Sequence, residues 1–150
     1  MSQSLSQVYV HATFSTKDHQ PLIDKNIKNR LYEYLAGICK TLQCPALQIG
    51  GYNDHIHILF RLSKNITQAK LMEEVKKSSS KWIKTIDTKY KNFYWQDGYG
   101  IFSVNPSEIQ IVTDYIKNQE EHHRNKTFRE ELIAFSKKYK VEYDERYLFT

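Results

Sequence analysis

The stretch His55-Ile56-His57-Ile58-Leu59-Phe60-Arg61-Leu62 alternates in character along its length. An extended strand turns successive side chains to opposite faces, so Ile56, Ile58, Phe60 and Leu62 point one way. His55, His57, Leu59 and Arg61 point the other. Four large apolar side chains need cover, and helices are expected on their side. The two imidazoles then stand together on the uncovered face. Upstream, residues 47–52 read as a strand and Asn53-Asp54 as a tight turn, which makes His55–Leu62 the second arm of a hairpin.

Working outward, residues 8–14 (VYVHATF) set Val8, Val10, Ala12 and Phe14 against Tyr9, His11 and Thr13, a strand with one apolar side. Asp24 can cap a helix running to about Lys40, with Ile27, Leu31, Leu35 and Ile38 at helical spacing, and Pro45 stops any continuation. A second helix is expected from Thr67 to about Asp87, with Leu71, Val75, Ser78, Trp82 and Ile86 as its packed stripe. Residues 100–104 read as a fourth strand. Asn105-Pro106-Ser107-Glu108 supplies a cap residue, proline at the first helical position and glutamate at the third, opening a helix to about His122. Thr127 and Glu130 form a capping box for a last helix, and the tail after Val141 is expected to be extended. The order is β-α-β-β-α-β followed by two extra helices. That predicts an α+β, ferredoxin-like antiparallel sheet, the arrangement RNA-recognition domains also use, with the first and third strands central.

At 150 residues and 17.9 kDa, residues 1–150 are expected to form one domain. Apolar residues make up 40% and charged residues 26%, enough to bury a core, which excludes global disorder. No apolar run is long enough to span a bilayer, and the opening MSQSLSQ lacks a basic-then-apolar leader. Cys39 and Cys44 have neither CxxC spacing nor a disulfide framework, so two reduced thiols in a cytoplasmic protein are expected. Residues 64–91 carry eight lysines and three acidic residues, an excess of five that equals the whole formal charge of the chain. Lys70, Lys77, Lys81 and Lys84 fall beside each other on the second helix as a basic ridge. The ridge suits a phosphate backbone; a plain solvated face is the other reading.

Candidate chemistry begins with His55 and His57, whose neutral imidazoles can converge on one divalent ion, although exposed strand histidines without a task share the same spacing. Tyr115 and Gln119 share a helix face. A carboxamide oxygen can bind a metal, and a phenol, with an ordinary pKa of about 10, can act as a nucleophile once a cation helps remove its proton. Surface or packing roles are equally open to both residues from spacing alone. His11 is expected on the outward face of the first strand, beside the histidine pair or against nucleic acid. Asp54 can orient an imidazole or simply form the turn. Arg61 shares the site face and can hold a phosphate. Trp95 and Tyr94 suit base stacking, with core anchoring as the other reading of Trp95, while Trp82 is expected in the core. His122 and His123 read as cations at a helix C-terminus, not as ligands.

Together, Asp54-His55-Ile56-His57, the basic helix, the segment 94–104 (YWQDGYGIFSV), Tyr115-Ile116-Lys117-Asn118-Gln119 and the ending 143–148 (YDERYL) resemble the single-tyrosine HUH transposases of the insertion-sequence 200/605 type. The likeness spans nearly the whole chain. It implies that His55, His57 and Gln119 hold Mg2+ or Mn2+ and that Tyr115 attacks a phosphodiester of single-stranded DNA. A 5′-phosphotyrosine link and a free 3′-hydroxyl result, with rejoining by a second 3′-hydroxyl and no ATP. It further implies hairpin-forming element ends as DNA partner, contacted by Lys70, Lys77, Lys81, Lys84, Arg61, His11 and Trp95, in the prokaryotic cytoplasm or on its nucleoid. A homodimer is implied too, with the tyrosine helix acting across the subunit boundary. Three alternatives stand beside this. A non-catalytic ferredoxin-like nucleic-acid-binding module would display aromatics where this strand has histidines. A hydrolytic metallophosphoesterase would need carboxylates near the ion, and none but Asp54 is close in sequence. A domesticated relative would bind repeats without moving them.

Overall fold

The computed structural model describes residues 2–123 and 126–143. The chain runs β1 (Val8–Ser15), α1 (Lys28–Thr41), β2 (Ala46–Tyr52), β3 (His55–Leu62), α2 (Gln68–Ile83), β4 (Gly100–Val104), α3 (Ile109–Lys117), α4 (Gln119–His122) and α5 (Phe128–Lys138). The sheet order is β2-β3-β1-β4, and each neighbouring pair is antiparallel. β1 and β3 are therefore central, as the strand order predicts. Residues 141–143 have no regular structure, and the rest of the expected extended tail lies outside the described residues.

The apolar face packs as expected. Val10, Ala12 and Phe14 of β1 and Ile56, Ile58 and Phe60 of β3 form one buried cluster with Leu31, Leu35, Leu71, Met72 and Val75 of α1 and α2. Each large side chain fully buried there contributes about 1.5–3 kcal/mol. Helix starts follow local chemistry. The Asp24 carboxylate accepts from the Ile27 amide at 3.1 Å, and Thr67 Oγ1 accepts from the Lys70 amide at 3.1 Å. The reciprocal box between Thr127 and Glu130 opens α5.

Two helices differ from expectation. α2 ends at Ile83, and its buried stripe is Leu71, Met72, Val75, Ser79 and Ile83. Ser79 turns inward because its hydroxyl is satisfied there: it donates to the Val75 carbonyl at 2.6 Å and accepts the Trp95 indole N–H at 2.9 Å. Trp82 is only half-buried, stacked on Tyr34 with ring centroids 4.5 Å apart. The helix expected to run unbroken to His122 begins as a single 3-10 turn at Pro106–Glu108 and breaks at Asn118 (φ −97°, ψ 22°). Tyr115 thus lies in the last turn of α3, and Gln119 starts α4.

The histidine face is not open. α3, α4 and α5 cover it, and Leu59, Val104, Val112 and Ile116 form a second, smaller apolar cluster there. In the row of the sheet that contains His57, the cross-strand partners are Gly50, Thr13 and Gly100. A Cβ on Gly50 would collide with the Ile116 carbonyl and lie 2.8 Å from its Cγ2, and one on Gly100 would lie 3.0 Å from Leu132 Cδ1. The absent side chains at both sheet edges let α3 and α5 come down onto this row.

Gly50→Ala is expected to destabilise the fold by about 1–3 kcal/mol through overpacking against α3. Gly37→Ala, inside α1 with nothing within 4 Å of the added methyl, is expected to stabilise by about 0.5–1 kcal/mol. Denaturant unfolding of both variants checks the pair, and equal effects would contradict the packing described.

Candidate active site

Four elements bring polar side chains to one point above β3. His55 and His57 rise from the central strand and are fully buried. Gln119 comes from α4, Tyr115 from the end of α3, and Glu131 from the first turns of α5. His55 Nε2 lies 3.0 Å from Gln119 Oε1, and His57 Nε2 lies 2.8 Å from Glu131 Oε1. His123 Nε2 lies 2.9 Å from Gln119 Oε1. The Tyr115 hydroxyl donates to Glu131 Oε2 in a short hydrogen bond and lies 3.2 Å from His122 Nε2. Ligand atoms of His55, His57, His123 and Glu131 all fall within 4.8 Å of one another.

The groups behind these atoms fix their roles. Gln119 Nε2 donates to the Tyr115 carbonyl and to Glu131 Oε2, both at 3.3 Å, which turns Oε1 toward the imidazoles. His55 Nδ1 faces the Asp54 carboxylate at 2.8 Å, and His123 Nδ1 faces the Lys126 carbonyl at 2.5 Å. Both partners only accept, so each Nδ1 carries a proton, and the neutral tautomer of such a ring has its lone pair at Nε2. Two imidazole lone pairs and an amide oxygen then converge, with a carboxylate oxygen 3.8 Å from His55 Nε2. Acceptors facing acceptors repel unless a cation stands among them. The donor set, nitrogen and oxygen mixed, fits a divalent ion.

Electrostatics agree. Burial pushes the His57 pKa down from 6.5 to about 4, against the pull of Glu131, and burial with the neighbouring His57 pushes His11 down to about 3. Both are neutral at physiological pH. Burial alone would raise Glu131, but its contacts with His123, His57 and the Tyr115 hydroxyl hold its carboxyl well below the usual range. Asp54 is likewise held low by His19 and His55, against its burial. Tyr115 is pushed up by burial and by the Glu131 charge, so its phenol keeps its proton in this arrangement. The tyrosine is half-buried and borders a small cleft of about 150 Å³ lined by His122, Lys126, Lys138 and Phe135.

The sequence-derived candidates divide. His55, His57, Gln119 and Tyr115 meet in one site. His11, only 2% exposed, is no surface contact: its Nε2 sits 2.7 Å from His57 Nδ1 and orients that ring from behind. Trp95 is 8% exposed, wedged edge-on against Phe14 and Phe93, so it anchors the core and cannot stack on a base in this arrangement. Tyr94 is exposed, with the Lys84 ammonium 4.1 Å from its ring centroid. Lys77 and Lys81 are exposed on α2, Lys70 is paired with Glu74 at 3.1 Å, and Arg61 is exposed near the end of β3. His122 and His123 belong to the site, not to a detached helix end. Glu131 supplies the carboxylate that was absent near the histidines in sequence. Its signal was a charge inside the apolar stripe Phe128, Leu132, Phe135, where a solvent-facing glutamate does not belong.

The sequence pattern of a family described as "Transposase IS200 like" matches residues 4–119. No curated protein matches the chain. Among solved structures, the fold is similar to that of a candidate transposase from Deinococcus radiodurans R1, with TM-score 0.63 and 15% identity over 79% of this chain and 98% of that one. It is also similar to a REP-associated tyrosine transposase bound to a REP hairpin, with TM-score 0.60 and 15% identity over 82% of this chain and 74% of that one.

Neutral burial of His11 and His57 makes the fold acid-sensitive. In the unfolded chain both take up a proton below about pH 6.5. Stability is therefore full above that pH and falls as pH drops toward about 4, by up to about 1.4 kcal/mol per pH unit for each ring. Asp54 and Glu131, depressed in the fold, add to the loss only below about pH 4.5. Urea unfolding of metal-free protein between about pH 7 and 5 checks this, and His11→Gln is expected to reduce the slope by about half. A flat profile would contradict the assignment.

Proposed function

The chain belongs to the IS200-like transposase family, and from that premise we propose that it cuts and rejoins single-stranded DNA through a covalent link to Tyr115. In this reading the Tyr115 oxygen attacks a backbone phosphorus. A phosphorus–oxygen bond to the tyrosine forms, the bond to the 3′ oxygen breaks, and a 3′-hydroxyl leaves. Attack by another 3′-hydroxyl reverses the exchange. One phosphodiester replaces another at each step, so no nucleotide is spent, and the chain carries no GxxxxGK[ST] loop. A divalent cation, Mg2+ or Mn2+, held by His55, His57 and Gln119 would polarise the scissile phosphate and stabilise charge on its oxygens.

The observation that carries this reading is the placing of Tyr115 within its own chain. Its ring centroid is 5.8 Å from that of His57, its hydroxyl is held by Glu131, and its cleft is flanked by Lys126 and Lys138. Those ammonium groups suit an incoming phosphate. Within one chain the tyrosine stands beside the histidine pair, an arrangement that suits attack on a phosphate bound there. Asp54 sets the proton position on His55, and His11 holds the His57 ring from behind. Hairpin DNA is the proposed partner, by likeness to the solved relative bound to a REP hairpin. The exposed Lys77 and Lys81 on α2 suit its backbone, and binding there is expected to weaken steeply with salt.

The test is to incubate the protein with labelled single strands bearing hairpin ends and Mg2+ or Mn2+, and to seek a protein–DNA adduct that survives denaturation. An adduct is expected with the native chain and none with Tyr115→Phe, while hairpin binding persists. His57→Ala is expected to slow cleavage at least about tenfold. Binding without adduct on any tested end would favour the non-catalytic module. Cleavage that persists in Tyr115→Phe would favour the hydrolytic phosphoesterase, for which the buried carboxylate of Glu131 is the supporting observation.

A further inference from the structure

Glu131 lies beyond residues 4–119, so the family match assigns it nothing. It is 1% exposed, and its ion-pair partners among the described residues are histidines alone. A buried carboxylate costs several kcal/mol unless charge of opposite sign or a full set of donors balances it. The groups around it include neutral His57, the neutral Tyr115 phenol and the Gln119 amide. Its two oxygens are divided by function. Oε1 lies on the cation side, 2.8 Å from His57 Nε2 and 3.8 Å from His55 Nε2. Oε2 takes the Tyr115 hydroxyl and the Gln119 amide, with His122 Nε2 at 3.2 Å and His123 Nε2 at 3.4 Å beside it.

Resting on the function proposed above, we infer that Glu131 is a double-ended member of the site. Oε1 joins His55, His57 and Gln119 as a donor to the divalent cation, and Oε2 holds the Tyr115 hydroxyl, so that one carboxylate sets nucleophile and cation relative to each other. The capping box at Thr127 and Glu130 serves this arrangement. It fixes where α5 begins and therefore which residue of its first turns faces the sheet. Phe128 stacks on the His55 ring with centroids 4.5 Å apart, and Phe135 lies edge-on to Tyr115 at 5.5 Å, so α5 grips the site on both sides of Glu131. The carboxylate is a ligand toward the cation and a positioning group toward Tyr115.

The experiment uses the full chain and Mn2+ alone as probe, with binding read by calorimetry and by loss of the free-ion electron paramagnetic resonance signal. Glu131→Gln, which keeps shape and removes charge, is expected to weaken Mn2+ binding about 10–100-fold while hairpin binding stays as in the native chain. At Mn2+ concentrations that saturate the variant, its maximal rate of adduct formation is expected to stay at least about tenfold low, with the DNA concentration for half-maximal rate unchanged. Glu131→Asp keeps the charge on a shorter arm and covers the case in which the amide variant fails to fold. It is expected to hold Mn2+ more tightly than Glu131→Gln and to share the low maximal rate. Native Mn2+ affinity in Glu131→Gln overturns the ligand role, and a native maximal rate at saturating Mn2+ overturns the positioning role. His57→Ala separates the two levels of inference: if it too binds Mn2+ like the native chain, the cation site itself is wrong, whereas loss in His57→Ala alone removes only Glu131.

Discussion

Two imidazoles standing two residues apart on a central strand face the lid of three helices, and everything else in the site is arranged around their lone pairs. A strand supplies the direction, because its alternation forces both rings to one side while Ile56, Ile58 and Phe60 hold the other side in the core. Carbonyl and carboxylate groups behind the rings supply the proton positions. Asp54 behind His55 and Lys126 behind His123 leave the inner nitrogens bare, and His11 lies behind His57. The result is a buried pocket of mutually repelling acceptors. Such a cluster of lone pairs suits a divalent cation placed among them.

Covering the face also fixes the proposed nucleophile. α3 is seated where Gly50 leaves no Cβ beneath the Ile116 carbonyl, and the next residue toward the N-terminus is Tyr115. The break at Asn118 then restarts the helix so that Gln119 returns over the histidines while its amide still reaches the Tyr115 carbonyl. A missing side chain on an edge strand and an irregular turn of helix therefore decide where a phenol oxygen stands. Neither involves the chemistry directly.

Much of this was legible in the sequence. The alternation in His55–Leu62, the cap signals at Asp24, Thr67, Asn105 and Thr127, and the strand order together gave the sheet and its central strands. The pairing of Tyr115 with Gln119 followed from helical spacing. Local patterns are readable because they arise from neighbours along the chain. The rest arose from neighbours in space. Trp95 was open to base stacking or core anchoring from the sequence, and Ser79 offers its indole a partner inside the core. His11 looked outward because nothing in the sequence shows that α3 and α5 roof its face. Glu131, beside the capping glutamate, was not singled out, although the apolar residues three and four positions away marked its side of α5 as buried. His123 follows a helix end, and only the fold turns it back toward His55.

The basic ridge on α2 and the tyrosine cleft lie on opposite sides of the sheet, since α2 packs against the apolar face and α3 and α5 against the histidine face. A polynucleotide gripped by the one and cut at the other has to travel around the rim of the protein. On the proposed function, the place of the cut would be measured by contour length from the grip, as with a ruler, and a nucleotide added to or removed from the intervening tether would move the break by the same count.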